Sequence, residues 1–166
     1  MRSVSSIPNK IFTLKELTHQ LNRWRLLNKK IVFTNGVFDI LHEGHIASLG
    51  EAALYGHVLI VAINSDASVK RLKGESRPVY NEGSRTLLMA SLVMVDAVIL
   101  FEEDTPLNLI TTILPDVLVK GGDYTLDEIV GAKEVMANGG KVVINPIVKG
   151  FSTSLIIEKL NDLTPE

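Results

Sequence analysis

Apolar runs and amphipathic stripes alternate along the chain. Five runs rich in valine, isoleucine and leucine predict buried strands at 31–33, 57–64, 96–101, 117–120 and 141–145. Apolar residues at helical spacing predict helices at 14–24, 46–54, 82–93, 106–113, 127–137 and 155–160. Because strands and helices alternate through short connections without hairpin signals, we expect a five-stranded parallel sheet in a single doubly wound, Rossmann-like α/β domain.

The chain before the first predicted strand forms a separate part of this plan. Residues 1–12 predict an arm of uncertain order. Thr13 and Glu16 have the spacing of a capping box, and an apolar stripe marks the helix that follows them. We therefore divide the chain into an N-terminal arm with an amphipathic helix, 1–29, and a main domain, 30–162.

Composition narrows the classes of protein to consider. The 166 residues are 46% hydrophobic and 22% charged, as in ordinary globular domains, and the net charge of −2 argues against a general nucleic-acid or anionic-membrane binder. The absence of cysteine excludes disulfides, thiolate metal sites and cysteine nucleophiles. The first residues lack the apolar core of a signal peptide, and no apolar run approaches the ~20 residues of a membrane span. We expect a cytoplasmic domain without nucleic-acid or membrane partners.

The candidate chemistry lies where the first predicted strand ends. The strand leads into a turn with one glycine, Gly36, and a helix should begin near His42. The rings of His42 and His45, three residues apart, should share one face of that helix, and Gly44 leaves the backbone between them open. A helix N-terminus also offers unpaired N–H groups and the positive end of the helix dipole. The stretch therefore predicts a cradle for a polyphosphate.

The two histidines have other interpretations. They could ligate zinc, although zinc sites usually add a third protein ligand, and no His-Glu-x-x-His frame is present. They could also be two histidines with structural roles only. A dinucleotide site of the oxidoreductase type would need Gly-x-Gly-x-x-Gly, whereas this turn has a single glycine. A Walker A loop is absent because no Gly-Lys-Ser/Thr occurs.

Four other features have both a plain and a functional interpretation. The basic loop 70–78 is either a solvated surface loop or a flap over phosphates. The segment 121–123 is either a turn or a surface for a base or ribose. The hydroxyls of 151–154 either cap a helix or form a second phosphate clamp. Asp39 either caps the helix of the histidines or orients a substrate group.

With these motifs the chain resembles the cytidylyltransferase-like nucleotidyltransferases, whose signature is His-x-Gly-His after the first strand. It is most similar to the adenylyltransferase domain of bacterial bifunctional heptose-phosphate kinase/adenylyltransferases. The resemblance rests on the stretches 34–45, 62–78, 101–106, 114–124 and 151–154. It implies that 30–162 is a nucleotidyltransferase domain, which joins D-glycero-β-D-manno-heptose 1-phosphate to ATP. The products would be ADP-heptose and pyrophosphate, with Mg²⁺ bound mainly through the nucleotide phosphates.

The resemblance also implies roles for individual residues. The residues that match the catalytic group are His42, His45, Asp39 and Lys73. The nucleotide-binding matches are Asn35, Gly36, Val37, Phe38, Gly44, Arg85, Gly121, Gly122, Asp123, Phe151, Ser152 and Thr153. Asp66 and Lys70 match positions of further phosphate or substrate contacts. The two histidines would hold the β- and γ-phosphates, and no metal ligand from the protein is implied.

Two departures from the family pattern qualify these expectations. Some relatives carry Arg-Thr before the hydroxyl block, whereas this chain has Ile147 and Val148, with Lys149 as a candidate replacement for the cation. The kinase half is absent from this sequence, so we expect a separate kinase upstream. A homodimer is a further expectation from the family.

Rival functions stay open on the sequence. The nearest is a glycerol-phosphate or other sugar-phosphate cytidylyltransferase, because the residues do not decide between ATP, CTP and GTP. A non-catalytic nucleotide-binding module is an alternative of another class. An NAD-dependent oxidoreductase is disfavoured by the missing glycines.

Overall fold

Six parallel strands form the sheet around which the chain is built. The computed structural model describes residues 4–146 and, beyond them, only positions 153, 156, 157 and 159, which are helical. The strands are β1 Ile11–Phe12, β2 Ile31–Gly36, β3 Val58–Asn64, β4 Ala97–Phe101, β5 Val117–Gly121 and β6 Lys141–Asn145. Their order across the sheet is β1-β4-β3-β2-β5-β6, and every neighbouring pair is parallel.

Within residues 4–146, six α-helices connect and flank these strands. They are α1 Leu14–Leu26, α2 Glu43–Ala53, α3 Asp66–Lys73, α4 Glu82–Ser91, α5 Leu107–Ile113 and α6 Ala132–Ala137. Short 3₁₀ turns occupy Val4–Ser6, Pro8–Lys10 and Leu126–Glu128. The predicted doubly wound α/β class is confirmed. In the part of the chain described here, no helix combines the length and apolar character that a bilayer crossing requires.

The predicted number of strands was wrong, because β1 adds a sixth strand at the edge of the sheet. Ile11 and Phe12 pair with Val98 and Ile99 of β4. Two residues are too few to show a periodic pattern, so only pairing with β4 reveals the strand. The preceding turn is held by Lys10, whose Nζ donates to the carbonyls of Leu92 and Val95, in the segment between α4 and β4, at 3.1 and 2.7 Å. The division of the chain at residue 30 stays a prediction.

Each face of the sheet is covered by its own set of helices. On one face, here the α1 face, alternate residues of β2 to β5 pack against α1, α5 and α6. The other, the α2 face, packs against α2 and α4. The side chains of β3 are buried along its whole length. This two-sided burial explains why the strand sequences are continuously apolar rather than alternating.

Several predicted boundaries differ from the structure, and three of the differences have a local cause. The predicted helix 127–137 is divided into a 3₁₀ turn, which ends at Glu128, and α6, whose N-cap Gly131 has a φ of +83°. The predicted loop 70–78 is helical up to Lys73, because Ser65 caps α3 by accepting from the Ser68 N–H. The predicted cap of α5 is displaced by one residue, since Pro106 rather than Thr105 is the N-cap.

The order of the strands predicts where a ligand binds. Along the chain, the crossovers run from β2 to β3 to β4 on one side, and then return to β5 on the other side of β2. In open α/β sheets, ligands bind at the carboxyl ends of the strands where this reversal occurs. The candidate site therefore lies at the ends of β2 and β5.

Candidate active site

The turn that follows β2 has a strained backbone. Phe38 adopts a φ of +48°, in the left-handed region that side chains rarely occupy. Its ring folds back over Gly36, where an added Cβ would stand 3.1 Å from the ring. A non-glycine residue held in such a conformation costs on the order of 1–3 kcal/mol, and such strain is concentrated at functional sites. Gly36 is thus needed for the shape of this turn.

The two histidines stand at the start of α2, at the carboxyl rim of the sheet. His42 is the N-cap residue, and its carbonyl accepts from the N–H groups of His45 and Ile46. The two rings stack with centroids 3.8 Å apart, and Phe38 contacts His45 edge-on at 5.3 Å. Within the described residues, neither buried Nδ1 atom has a hydrogen-bond partner. Two unpartnered ring nitrogens at a helix N-terminus are suited to bind an anion.

The surroundings of these rings favour their neutral form. Burial, then the positive charges of His42 and Lys73, lower the pKa of His45 from 6.5 to about 4. Burial likewise lowers the pKa of His42. A neutral imidazole has one donor and one acceptor nitrogen, so each ring can donate to a phosphate oxygen without carrying a charge. Lys73, on the last turn of α3, is a cation close enough to act electrostatically on His45.

The zinc interpretation gains no support. Over the described residues, no group of three or more histidine, aspartate or glutamate side chains could hold a metal ion. The purely structural interpretation is also weakened. Structural histidines in a core are normally hydrogen-bonded, whereas both of these Nδ1 atoms lack a partner in the described part of the chain.

Asp39 holds a loop rather than facing a ligand. Its buried carboxylate accepts from Arg77 Nε at 2.8 Å and from the Val79 and Tyr80 N–H groups at 2.9 Å. Burial opposes its ionisation, but the N–H groups of Tyr80 and Val79, together with Arg77, outweigh burial and lower its pKa. The catalytic role predicted for Asp39 has no support in this geometry. It fastens the loop between α3 and α4 to the turn after β2.

Arg85 is likewise placed behind the turn. Its side chain is fully buried, with Nη1 donating to the Val37 carbonyl at 2.7 Å and Nε donating to the Tyr80 carbonyl at 2.9 Å. Its Nη2 donates to Asp66 Oδ1 at 2.7 Å. Every guanidinium nitrogen is therefore bonded within the protein, which corrects the predicted phosphate contact of Arg85. The pairing also engages the Asp66 carboxylate, predicted as a substrate contact.

A cavity of about 390 Å³ opens on the α1 face at the same rim. Its floor includes one polar residue from each of three adjacent strands, which are Asn35 of β2, Asn64 of β3 and Lys120 of β5. Lys120 Nζ lies 3.4 Å from Asn35 Oδ1 and 5.7 Å from the centroid of the Tyr124 ring. Burial lowers the pKa of Lys120. The histidines do not line this cavity, but Gly36 and Lys73 do.

Sequence reasoning did not assign Lys120 or Asn64 to the site. Both residues could have been found from the strand periodicity, because side chains two residues apart lie on the same face of a sheet. Lys120 lies two residues after the core residue Leu118, and Asn64 lies two residues after Ala62. Each therefore continues the α1 face into the carboxyl rim, where ligands bind.

The remaining predicted residues fall into three groups. Near the turn after β2, Val37 lines the cavity and Gly44 lies in the first turn of α2. At the end of β5, the N–H of Gly122 donates to the Asn145 carbonyl at 3.1 Å, and its φ of +134° suits only glycine. Gly121 adjoins it in β5, and Asp123 follows as an exposed residue. The third group is Lys70 alone, an exposed residue of α3 whose Nζ pairs with the Glu75 carboxylate at 3.6 Å.

The predicted hydroxyl clamp lies mostly beyond what the structure describes. Phe151 and Ser152, together with Lys149, are outside the described residues. Thr153 is helical and half-buried. The clamp stays a prediction.

Comparison with known proteins identifies similar sequences over nearly the whole chain. The family described as cytidylyltransferase-like matches residues 33–159. The bifunctional protein HldE of Koribacter versatilis is 52% identical over 157 residues, covering 95% of this chain and 32% of that protein. HldE of Rhodospirillum rubrum is 49% identical over 158 residues, with the same coverage of 95% and 32%. The chain spans about a third of the length of these curated relatives.

Solved structures give the same architecture. The crystal structure of the lipopolysaccharide core biosynthesis protein from Thermoplasma volcanium GSS1 is 34% identical, with a TM-score of 0.60. The match covers 74% of this chain and 99% of that one. Pantoate-β-alanine ligase from Francisella tularensis, complexed with β-γ ATP and β-alanine, has a TM-score of 0.61 over 92% of this chain and 76% of that one. At 17% identity, this second likeness concerns the fold alone.

Proposed function

The chain belongs to the cytidylyltransferase-like family of nucleotidyltransferases, and on that premise we propose that it transfers an adenylyl group from ATP to a sugar 1-phosphate. The family resemblance inferred from the motifs is thereby confirmed. For the acceptor we propose D-glycero-β-D-manno-heptose 1-phosphate, with ADP-heptose and pyrophosphate as products. The relatives called HldE, about half identical over 95% of the chain, support this choice.

The stacked histidine pair is the observation that carries the proposal. Two neutral imidazoles, whose Nδ1 atoms lack a hydrogen-bond partner among the described residues, stand at the N-terminal end of α2. In the proposed complex they donate hydrogen bonds to the β- and γ-phosphates, and Lys73 balances part of the charge.

The proposed reaction is a direct displacement. A phosphate oxygen of the acceptor attacks the α-phosphorus of ATP and forms a new P–O–P bond, while the bond from that phosphorus to the β-bridging oxygen breaks. Pyrophosphate leaves with the electron pair, and no residue forms a covalent intermediate. The protein contributes positioning and stabilisation of the charge that develops on the phosphates.

The described residues fit a magnesium ion that is carried by the nucleotide. They include no cluster of three or more ligands for a metal, and the side chains beside α2 are imidazoles and an ammonium group. Mg²⁺ would therefore be held mainly by the phosphates. There it would supply charge neutralisation for the leaving pyrophosphate.

A panel of substrates with Mg²⁺ tests the proposal. ATP, CTP and GTP are each combined with heptose 1-phosphate, glycerol phosphate and other sugar 1-phosphates, and pyrophosphate release is measured. We expect release with ATP and heptose 1-phosphate. Release only from CTP with glycerol phosphate would favour a cytidylyltransferase, and nucleotide binding without release in any combination would favour a binding module.

Replacing His42 with alanine tests the histidine assignment. We expect turnover to fall by ~10²-fold or more, because a preorganised donor to the reacting phosphates is removed. The matched control is His19→Ala, at an exposed position on α1, which should keep full turnover. Both variants should unfold at the wild-type temperature. Full turnover in His42→Ala would contradict the assignment.

Some expectations about the wider protein stay predictions. They are a separate upstream kinase, a homodimer, a cytoplasmic location, and the lack of nucleic-acid or membrane partners.

A further inference from the structure

Lys120 is a half-buried cation that has no counter-charge in the described part of the chain. Among the described residues, its Nζ forms no ion pair, and its nearest polar partner is the Asn35 amide oxygen at 3.4 Å. Two carboxylates, Asp104 and Glu128, line the same cavity, but neither pairs with it. Removing an ammonium group from water without pairing it is unfavourable. A cation held in this way at the wall of a cavity is suited to an anionic ligand.

The position of Lys120 indicates which anion it would bind. Lys120 follows Leu118 on the α1 face, whereas the histidines begin α2 on the opposite face of the sheet. The end of β2 separates the two sites and contributes Gly36 to the cavity. A direct displacement at phosphorus needs the attacking and leaving oxygens on opposite sides. An anion at Lys120 is therefore on the attacking side.

The walls of the cavity suggest what is attached to that anion. Asn64 offers its amide oxygen, since its nitrogen donates to Ser68, and Thr105 offers a hydroxyl. The carboxylates of Asp104 and Glu128 also line the cavity, each with one oxygen bonded to a neighbour, Arg71 and Thr125 respectively. These groups can hydrogen-bond the hydroxyls of a polyol, and the carboxylates repel a second phosphate. The ring of Tyr124 adds an apolar wall. The chemistry is that of a sugar carrying a single phosphate.

We propose that Lys120 is a specificity-determining residue that binds the phosphate of the acceptor, with the sugar hydroxyls in the cavity on the α1 face. This inference rests on the proposed function, since it assigns the acceptor side of that reaction. It makes Lys120 a selector for phosphorylated over free sugars, whereas the histidines, which do not line the cavity, serve the nucleotide.

Lys120→Met, which keeps most of the side-chain length without the charge, tests the proposal. We expect the KM for heptose 1-phosphate to rise on the order of 10-fold to 100-fold, as for loss of a hydrogen bond to a charged group. The KM for ATP should stay at the wild-type value. Lys120→Arg, which keeps the charge, should recover part of the loss. The matched control is Lys133→Met, at an exposed position on α6.

Two further measurements separate this role from a structural one. The free energy of unfolding without substrates should not fall in Lys120→Met, because the ammonium has no ion-pair partner to lose within the described residues. The ratio of the dissociation constants for free heptose and heptose 1-phosphate should be high in the wild type and near one in Lys120→Met. A purely structural residue would change stability and leave this ratio unaltered.

The outcomes also distinguish failure of this inference from failure of the proposed function. An unchanged KM for heptose 1-phosphate, or a rise in the KM for ATP alone, would overturn the role of Lys120. If the wild type released no pyrophosphate with any acceptor, the proposed function would fail. In that case the dissociation constants of heptose 1-phosphate for the wild type and for Lys120→Met would still test the role of Lys120. Weaker binding to the variant would support the role, and equal binding would overturn it.

Discussion

Replacing Arg85 with methionine is expected to lower the free energy of unfolding by about 3–5 kcal/mol, the usual loss when one partner of a buried ion pair is removed. Arg85 is fully buried and ties together three segments, through Val37 before the histidines, Tyr80 before α4, and Asp66 at the start of α3. Methionine has a similar apolar stem, so the change mainly removes the guanidinium.

The magnitude follows from the groups left behind. The carbonyls of Val37 and Tyr80 each lose a donor, at about 1–3 kcal/mol for each buried group that stays unsatisfied. The Asp66 side chain is 32% exposed, so water can replace part of its lost ion pair and the smaller end of that range applies to it. Because domains of this kind are stable by only about 5–15 kcal/mol, the loss is a large share of the total.

Urea unfolding of the wild type and variant measures this loss. The matched control is Arg71→Met, since Arg71 forms an exposed ion pair with Asp104, for which we expect about 0–1 kcal/mol. If Arg85→Met kept wild-type stability and instead lost affinity for ATP, the guanidinium would be a phosphate ligand, as the resemblance implied. The structural reasoning would then be refuted.

Two other predictions concern pH and glycine. Because the pKa of His45 is lowered from 6.5 to about 4, the unfolded chain binds a proton that the folded one does not, so the unfolding temperature should fall progressively as the pH drops from 6.5 to 4. His45→Gln should flatten this dependence, and parallel curves for both proteins would contradict it. Gly50→Ala in α2, where an added Cβ meets nothing within 4 Å, should stabilise the protein by about 0.5–1 kcal/mol in urea unfolding. Gly131→Ala, at a φ of +83° and with its Cβ 2.7 Å from Ile110, should destabilise it by about 1–3 kcal/mol, and a gain in stability there would contradict the assigned strain.

Local signals in the sequence were sufficient for most of the architecture. The capping box at Thr13 and the cap at Asn81 predicted the starts of α1 and α4, because both depend on contacts three residues apart. The apolar strands predicted a parallel sheet, because only helices on both faces can bury such runs. His42 was correctly placed at the start of α2.

Elements that depend on distant partners were missed or misplaced. The edge strand β1 has only two residues and exists through its pairing with β4. The break at Gly131 follows from the close approach of Ile110, where no Cβ fits. Neither partner can be identified from nearby sequence.

The same division applies to the site. The turn after β2 and the two histidines could be recognised from the residues alone, because strand, turn and helix are contiguous there. That Arg85 and Asp39 hold this turn from behind became visible in the folded chain, because their bonds span 48 and 38 residues. It also decided that Lys120 meets Asn35, which is 85 residues away. The physical reason is the strand order, because β5 inserts beside β2 and brings two remote strand ends to one rim.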